Sequence, residues 1–250
     1  MDTVITLRGA VSVLGRFPAL AGVDLDVARS EIVLVSGPNG AGKSTLLRLC
    51  AGLVNLARGE ASILGYPLPQ RRREVRRRVG YLGHANGLYP ELTVAENVRF
   101  WSRTAGAGGA DAAAALQRVE VATRLHDLAV AHLSAGQRRR TALACLIVRR
   151  PEIWLLDEPH TGLDAAARDL LDGLVREAVA GGATALVASH EHERSQQLAT
   201  REVQLVGGMV TWSRPALGPM AGPGGEAPAG PGQALDAVVA AGHEGAGRVP

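Results

Sequence analysis

One short segment of this chain carries the residue types that bind a phosphate group. Gly37 to Thr45 reads G-P-N-G-A-G-K-S-T, which fits the loop pattern G-x-x-x-x-G-K-[ST]. The glycines allow a tight turn whose backbone N–H groups converge on an anion. Lys43 is the single lysine among 27 lysine and arginine residues, and its compact ammonium fits beside a phosphate where a flat guanidinium does not. The pattern predicts binding of a nucleoside triphosphate with Mg²⁺.

The neighbouring sequence predicts a strand before this loop and a helix after it. Glu31 to Val35 is typical of a short buried strand, and Ser44 to Cys50 of the start of a helix. Because a helix N-terminus favours bound anions, this order favours a ligand site over a plain glycine-rich turn. Lys43 is expected to reach the β- and γ-phosphates, and the Ser44 hydroxyl to ligate Mg²⁺. The residues expected to contact the nucleotide are Gly37, Pro38, Asn39, Gly40, Ala41, Gly42, Lys43, Ser44 and Thr45.

Two carboxylates follow an apolar run further along the chain. Ile153 to Leu156 predicts a central parallel strand buried on both faces, and Asp157 and Glu158 come directly after it. A carboxylate at the carboxyl end of such a strand is placed to hold Mg²⁺, which we assign to Asp157. Glu158 is then the candidate that orients or deprotonates the attacking water. The alternative interpretation is an acidic turn after a strand.

A histidine follows another strand-like segment. Ala185 to Ala188 is apolar, and Ser189 and His190 come next. A lone histidine is more often structural, but this one is expected at the same sheet edge as Asp157. The motifs upstream favour a functional role, in which His190 hydrogen-bonds the γ-phosphate.

A second candidate anion site begins at Ser134. The segment Leu133 to Gln137 reads L-S-A-G-Q, and Ser134 is placed to cap a helix that ends at Arg149-Arg150. Since the first loop already binds the phosphates from one side, a second such site suggests that two subunits hold the γ-phosphate between them. The alternative is an ordinary N-capped helix. The residues expected to contact the nucleotide here are Ser134, Gly136 and Gln137.

Together these motifs resemble the nucleotide-binding subunit of an ATP-binding cassette (ABC) transporter. L-S-A-G-Q is similar to the family signature L-S-G-G-Q, and Thr161 to Asp164 resembles the family's D-loop. The resemblance covers residues 3–213. It implies an ATPase that acts as a dimer, in which ATP lies between the P-loop of one subunit and Leu133 to Gln137 of the other. It also implies an integral membrane subunit that converts closing and reopening into transport.

One departure from the family pattern bears on catalysis. His84 stands where the family usually has Gln, a residue that touches Mg²⁺ and the attacking water in a loop that meets the membrane subunit. A neutral histidine can do similar work, whereas a protonated one would lose contact with Mg²⁺. His84, Ala135 and the segments Gly83 to Leu88 and Leu133 to Leu143 resemble the ATP-binding subunit of the haem exporter of cytochrome c maturation. The resemblance therefore places His84 with Glu158 and His190 among the catalytic candidates.

A second departure concerns the base of the nucleotide. Leu14 stands where the family has an adenine-stacking aromatic, and Phe17 is the nearby alternative. The sequence leaves open which of the two contacts adenine.

Alternating strands and helices around the P-loop predict an α/β fold. With the resemblance, we expect a P-loop NTPase core of ABC type with a small antiparallel β subdomain and a helical subdomain at about residues 86–135. Within it, Thr93 and Glu96 predict a capping box, and Asp111 to Leu125 predicts a helix. Residues 1–214 are expected to form the cassette. Residues 215–250, of which 15 of 36 are Gly or Pro, predict a disordered tail rich in Gly, Pro and Ala.

Charge and hydropathy limit the classes of partner that the sequence predicts. The net charge is +3, and the arginine run from Arg71 to Arg78 is interrupted by Glu74 and lacks interleaved aromatics. We therefore expect a solvated or lipid-headgroup-facing surface there and no nucleic acid. No apolar run approaches the ~18 residues needed to cross a bilayer, and the first residues do not resemble a signal peptide. We expect a peripheral protein on the cytoplasmic face of the cell membrane.

The sequence leaves the cargo and the second ATPase subunit open. Export of the haem-exporter type is the first hypothesis, and export of another cargo (drug, lipid or polysaccharide) is the alternative. A soluble ABC switch protein without transport is a third possibility, although paired cassettes or long coiled-coil insertions do not fit within 250 residues. An inactive ATPase is disfavoured by the complete set of motifs. The dimer can be a homodimer or a heterodimer.

Overall fold

The computed structural model describes residues 2–216. They form two sheets and a set of helices. The strands are β1 (Thr3–Leu14), β2 (Phe17–Ala28), β3 (Ile32–Ser36), β4 (Arg58–Ile63), β5 (Tyr66–Leu68), β6 (Val79–Leu82), β7 (Ile153–Asp157), β8 (Thr184–Ala188), β9 (Arg201–Val206) and β10 (Met209–Pro215). The helices are α1 (Lys43–Cys50), α2 (Arg72–Arg78), α3 (Val94–Thr104), α4 (Gly109–Arg118), α5 (Ala135–Val148), α6 (Ala165–Ala180) and α7 (His192–Leu198).

The larger sheet has six strands in the order β10-β9-β3-β8-β7-β6. The pairs from β9 to β6 are parallel, and β10 is an antiparallel edge strand. All residues of β3, β7 and β8 are buried, as is usual for parallel strands covered on both faces. Alternate residues of β3 face different cores: Leu34 packs with α3, α5 and α6, whereas Val33 and Val35 pack with α1 and the second sheet.

The second sheet is antiparallel, in the order β2-β1-β4-β5. The expected small antiparallel β subdomain is confirmed by this sheet, which includes the long strands β1 and β2. β5 was not predicted. This sheet covers α1 on the face opposite the larger sheet, because Leu46 and Leu47 share one apolar cluster with Ile5 of β1.

Helices α3, α4 and α5 pack together on the other face of the larger sheet. The predicted capping box is confirmed, since the Glu96 N–H donates to Thr93 Oγ1 and the Thr93 N–H donates to Glu96 Oε2. The helix predicted from Asp111 to Leu125 is wrong at its end, because α4 stops at Arg118. Glu120 has φ 54° there, and the Val121 N–H donates to Leu116 O, which is a helix-ending turn. The proposed subdomain bounds of about 86–135 remain a prediction.

The C-terminal strands differ from the sequence-based expectation. β9 and β10 were not predicted, and Pro215 ends β10 instead of opening the predicted tail. The rest of the predicted tail, from residue 217 onward, lies outside the described residues. Among residues 2–216, the structure contains no helix with both the length and the apolar character needed to cross a bilayer.

We expect Gly80→Ala to destabilise the protein. Gly80 lies in β6, and a Cβ there would lie 2.2 Å from Leu146 Cδ1 and 2.8 Å from Pro151 Cγ. Overpacking of this kind costs about 1–3 kcal/mol of unfolding free energy, measured by urea unfolding of the full chain. Gly173→Ala is the matched control, because Gly173 is an exposed position of α6 where a Cβ meets no other atom within 4 Å. The control should stabilise the chain by about 0.5–1 kcal/mol. Equal destabilisation by both variants would contradict the packing described.

Candidate functional site

The phosphate-binding loop connects β3 to α1 and is shaped by two close approaches of the backbone. Gly37 has φ 141° and Gly42 has φ 103°. A Cβ on Gly37 would lie 2.1 Å from Leu205 O, and one on Gly42 would lie 2.4 Å from Ala19 O. Only glycine fits both the conformation and the space at these positions. Gly42 caps α1 without a side-chain hydrogen bond, so the first N–H groups of α1 have no side-chain acceptor at the cap and are available for an anion.

Lys43 lies inside the curve of this loop. Its Nζ donates to Gly37 O at 2.7 Å and to Pro38 O at 3.1 Å, and the residue is only 9% exposed. Backbone carbonyls hold the ammonium in place but do not neutralise its charge. The structure thus places one full positive charge within the loop that sequence analysis assigned to a triphosphate.

Ser44 and Asp157 meet at the end of the larger sheet where β7 stops and α1 begins. Ser44 Oγ donates to Asp157 Oδ1 at 3.0 Å, and Asp157 is buried at the end of β7. Two hard oxygen donors at this distance fit Mg²⁺, which commonly takes one or two protein oxygens and keeps several waters. The structure therefore brings together the two residues that sequence analysis assigned to the metal.

Two further side chains orient Asp157, and sequence reasoning missed both. The Tyr81 hydroxyl donates to Asp157 Oδ2 at 3.1 Å, and Arg48 Nε donates to the Tyr81 oxygen at 3.2 Å. Burial raises the pKa of Tyr81, so its phenol remains a neutral donor at physiological pH. A tyrosine near the carboxyl end of a short strand-like segment was the available sequence signal.

Glu158 and His190 form a direct pair at the same edge of the sheet. His190 Nδ1 lies 2.7 Å from Glu158 Oε2, and the His190 backbone N–H lies 3.3 Å from the same oxygen. With the carboxylate accepting from Nδ1–H, Nε2 is the ring nitrogen left for another ligand. Glu158 has φ 49°, in the left-handed region, and its N–H donates to Ala188 O at 2.8 Å. The strained turn thus directs the carboxylate toward the histidine rather than along the strand.

His84 is not brought into this group. It is exposed in the loop after β6, and in the described part of the chain no hydrogen bond ends on its side chain. The structure leaves its predicted contact with the attacking water as a prediction.

Ser134, Gly136 and Gln137 also lie apart from the P-loop in the single chain. Ser134 caps α5 as predicted, because its Oγ accepts from the Gln137 N–H at 3.2 Å while Gln137 Oε1 accepts from the Ser134 N–H at 2.9 Å. A Cβ on Gly136 would lie 3.1 Å from Gly162 O, so this segment neighbours the D-loop. Between residues 2 and 216, no hydrogen bond joins it to the P-loop.

A buried arginine one turn into α5 contacts both catalytic segments, and sequence reasoning missed it. Arg139 is 6% exposed, and burial lowers the pKa of its guanidinium to about 10, so it stays charged at physiological pH. An arginine inside an otherwise buried helical stretch was the available signal. Its Nε donates to Pro159 O at 3.2 Å. Its Nη1 donates to Gly83 O at 2.6 Å and to Asn86 Oδ1 at 3.2 Å. Its Nη2 donates to Asp157 O at 3.2 Å and to Glu158 O at 2.9 Å.

The two candidates for the adenine contact lie on the hairpin that joins β1 to β2. Leu14 is 47% exposed and Phe17 is 79% exposed. The same hairpin approaches the P-loop through Ala19, whose carbonyl oxygen neighbours Gly42. Both side chains are therefore accessible to a base, and the choice between them stays open.

Comparisons with known proteins agree with this geometry. The family model described as ABC transporter matches residues 20–161 of the chain. The cytochrome c biogenesis ATP-binding export protein CcmA of Bradyrhizobium diazoefficiens is 42% identical over 187 residues, which cover 73% of this chain and 90% of that protein. The Nod factor export ATP-binding protein I of Cupriavidus metallidurans is 33% identical over 201 residues, which cover 79% of this chain and 66% of that protein.

Solved structures of ATP-binding cassettes are similar to this chain in fold. A dimeric ATP-binding cassette in a post-hydrolysis state bound to ADP and Pi is similar to this chain with a TM-score of 0.75 and 26% identity, over 86% of this chain and 99% of that one. The predicted α/β core of ABC type is confirmed by this likeness and by the two sheets. The chain therefore belongs to the ABC transporter family, as an ATP-binding subunit that hydrolyses ATP.

Proposed function

We propose that this chain powers an exporter of the haem-exporter type, which serves cytochrome c biogenesis. The observation that carries the cargo class is the 42% identity to a cytochrome c biogenesis export protein over 90% of that protein. The motifs of the chain agree, because His84 and Ala135 are the positions at which it departs from the general family pattern toward that type.

Hydrolysis follows from the arrangement of the site residues. The P-loop N–H groups and Lys43 bind the triphosphate, while Ser44 and Asp157 are the residues that would hold Mg²⁺. When bound, Mg²⁺ neutralises charge on the β- and γ-phosphate oxygens. Glu158 accepts a proton from the water that attacks the γ-phosphorus, and the bond to the ADP oxygen breaks. His190, held by Glu158, presents Nε2 to the γ-phosphate.

We place the Leu133 to Gln137 segment in the site of a second ATPase subunit. In the single chain this segment neighbours Gly162 of the D-loop, and among residues 2–216 no hydrogen bond joins it to the chain's own P-loop. The dimeric form of the solved cassette supports this arrangement. A homodimer is the simplest assembly, since one chain carries both halves of the site.

We place an integral membrane subunit on the groove beside the His84 loop. The groove has a volume of about 400 Å³ and is lined by Leu53, Tyr81, Asn86, Gly87 and Trp101 among others. Leu53 is 47% exposed, which leaves an apolar contact for a partner. Docking there would hold the chain peripherally at the cytoplasmic face of the membrane.

A second cargo class has its own support. The 33% identity to a Nod factor export protein favours export of another cargo, a Nod factor, as the alternative. Both relatives are named for export, which favours transport over a soluble switch protein.

Replacing Glu158 tests the proposed chemistry. We expect Glu158→Gln to lower kcat by about 10²–10⁴-fold, the usual contribution of a general base, while the Kd for ATP stays within about twofold of wild type. Phosphate release and equilibrium ATP binding measure the two quantities. Glu60→Gln, at an exposed position of β4, is the control and should retain full turnover. Wild-type turnover in Glu158→Gln would remove the residue from its assigned role.

Replacing Ser44 tests the metal assignment. Ser44→Ala removes one of two oxygens that meet at 3.0 Å, so the gain in ATP affinity that Mg²⁺ provides should fall at least about tenfold. ATP binding in EDTA should change little. Ser62→Ala in β4 is the control. An equal loss of affinity with and without Mg²⁺ would assign Ser44 to the phosphates instead.

Complementation tests the cargo class. In a Bradyrhizobium diazoefficiens strain that lacks its cytochrome c biogenesis export protein, expression of this chain should restore covalent haem in c-type cytochromes, whereas Glu158→Gln should not. Haem staining of membrane fractions measures the result. Restoration of Nod factor export in a strain lacking that ATPase, without restoration of c-type cytochromes, would favour the alternative cargo.

A further inference from the structure

Arg139 has all of its hydrogen-bonding capacity satisfied by two segments of the site. A guanidinium has five N–H donors in a fixed plane, and the structure gives Arg139 five acceptors at 2.6–3.2 Å. Three of them are the consecutive carbonyls of Asp157, Glu158 and Pro159. The other two belong to Gly83 and Asn86, on either side of His84.

These contacts join parts of the molecule that have different tasks. Arg139 belongs to α5, the helix that Ser134 caps. Its acceptors lie in the segment that carries the metal and base candidates and in the loop that carries His84. One side chain thus connects the segment proposed to reach the partner's ATP, the chain's own catalytic carboxylates and the loop proposed to meet the membrane subunit.

The contact with Glu158 has a particular physical consequence. Glu158 occupies a left-handed conformation at φ 49°, which a residue with a side chain adopts only when its surroundings enforce it. Arg139 Nη2 lies 2.9 Å from the Glu158 carbonyl oxygen, and the Glu158 N–H donates to Ala188 O at 2.8 Å. The peptide groups on both sides of the strained residue are therefore fixed, and with them the direction of its carboxylate.

A simple packing role does not account for this arrangement. An apolar side chain would fill the same space without the cost of burying a charge. The acceptors of this guanidinium are all backbone or amide oxygens, so it forms no direct ion pair, and the longer-range attraction of Asp157 only partly offsets the effect of its burial. Its hydrogen bonds instead fix the positions of five carbonyl and amide groups at once. Such fixing matters for catalysis because a displacement of about 1 Å at a reacting group can lower the rate about 10²-fold.

We propose that Arg139 is a positioning residue that sets the turn at Glu158 and the His84 loop in one fixed relation. The proposal rests on the ATPase function proposed above. All five hydrogen bonds of Arg139 end on backbone oxygens or on Asn86, and none on a P-loop residue, so its loss should slow the hydrolytic step and leave ATP binding intact. Lysine cannot replace it, because a single ammonium has three donors and no planar fork.

The test uses Arg139→Lys and Arg139→Gln in the full chain. We expect kcat to fall at least about tenfold in both, with the Kd for a non-hydrolysable ATP analogue within about twofold of wild type. Arg149→Lys and Arg149→Gln are the controls, because Arg149 is a half-buried arginine directly after α5 that also donates to two carbonyls, those of Arg76 and Val79. The control variants should keep kcat within about twofold. Thermal unfolding verifies that each variant is folded.

Amide hydrogen exchange provides a readout that a general loss of stability would not give. In Arg139→Lys, exchange should quicken in residues 83–88 and 157–160 together and stay unchanged in the P-loop. The proposal is overturned if kcat and analogue affinity fall in parallel, if the Arg149 controls lose as much turnover, or if only one of the two segments loosens. Failure of the wild-type chain to bind or hydrolyse ATP would instead overturn the proposed function, so the two results are separable.

Discussion

The parallel register of β3, β8 and β7 is the constraint on which the site depends. Val35 pairs with Ala188, and Ala188 pairs with Asp157, so the three strands end level with one another. The residues that follow each strand must then emerge at one edge. Gly37, His190 and Glu158 are therefore neighbours even though more than a hundred residues separate the first from the others. The site is built from loops, but strand pairing fixes their positions.

The left-handed turn at Glu158 determines which partners the side chains of Asp157 and Glu158 reach at this common edge. If the chain left β7 in an extended conformation, Asp157 and Glu158 would point to opposite faces of the sheet. The turn instead lets Asp157 meet Ser44 on the P-loop side while Glu158 meets His190 after β8. Two adjacent carboxylates thereby serve two different partners. This arrangement requires a strained, left-handed backbone at Glu158. The hydrogen bonds of the two peptide groups that flank Glu158 stabilise that conformation.

The sequence predicts those parts of the molecule that depend on short-range spacing. The P-loop, the capping box at Thr93, the N-cap at Ser134 and the buried strands β3, β7 and β8 each follow from a few consecutive residues. Arg139 and Tyr81 escaped prediction because their partners are distant in sequence and are backbone or carboxylate groups that no pattern specifies. The end of α4 escaped for a different reason, since helix propensity favours continuation while the turn at Glu120 buries Val121 with Leu116.

Charge explains why arginines surround a site that must also bind an anion. The attraction of Asp157 raises the pKa of Arg48, after the larger effect of its hydrogen bond with Tyr81, and the same attraction acts on Arg139 against the effect of burial. Arg48 is linked to Asp157 through Tyr81 and Arg139 donates to the Asp157 carbonyl oxygen, whereas Lys43 donates to carbonyls within the P-loop. Because the arginines are committed to Tyr81 and to backbone oxygens, they stabilise the carboxylates without competing for the triphosphate. Lys43 is therefore the cation that remains positioned to bind the triphosphate.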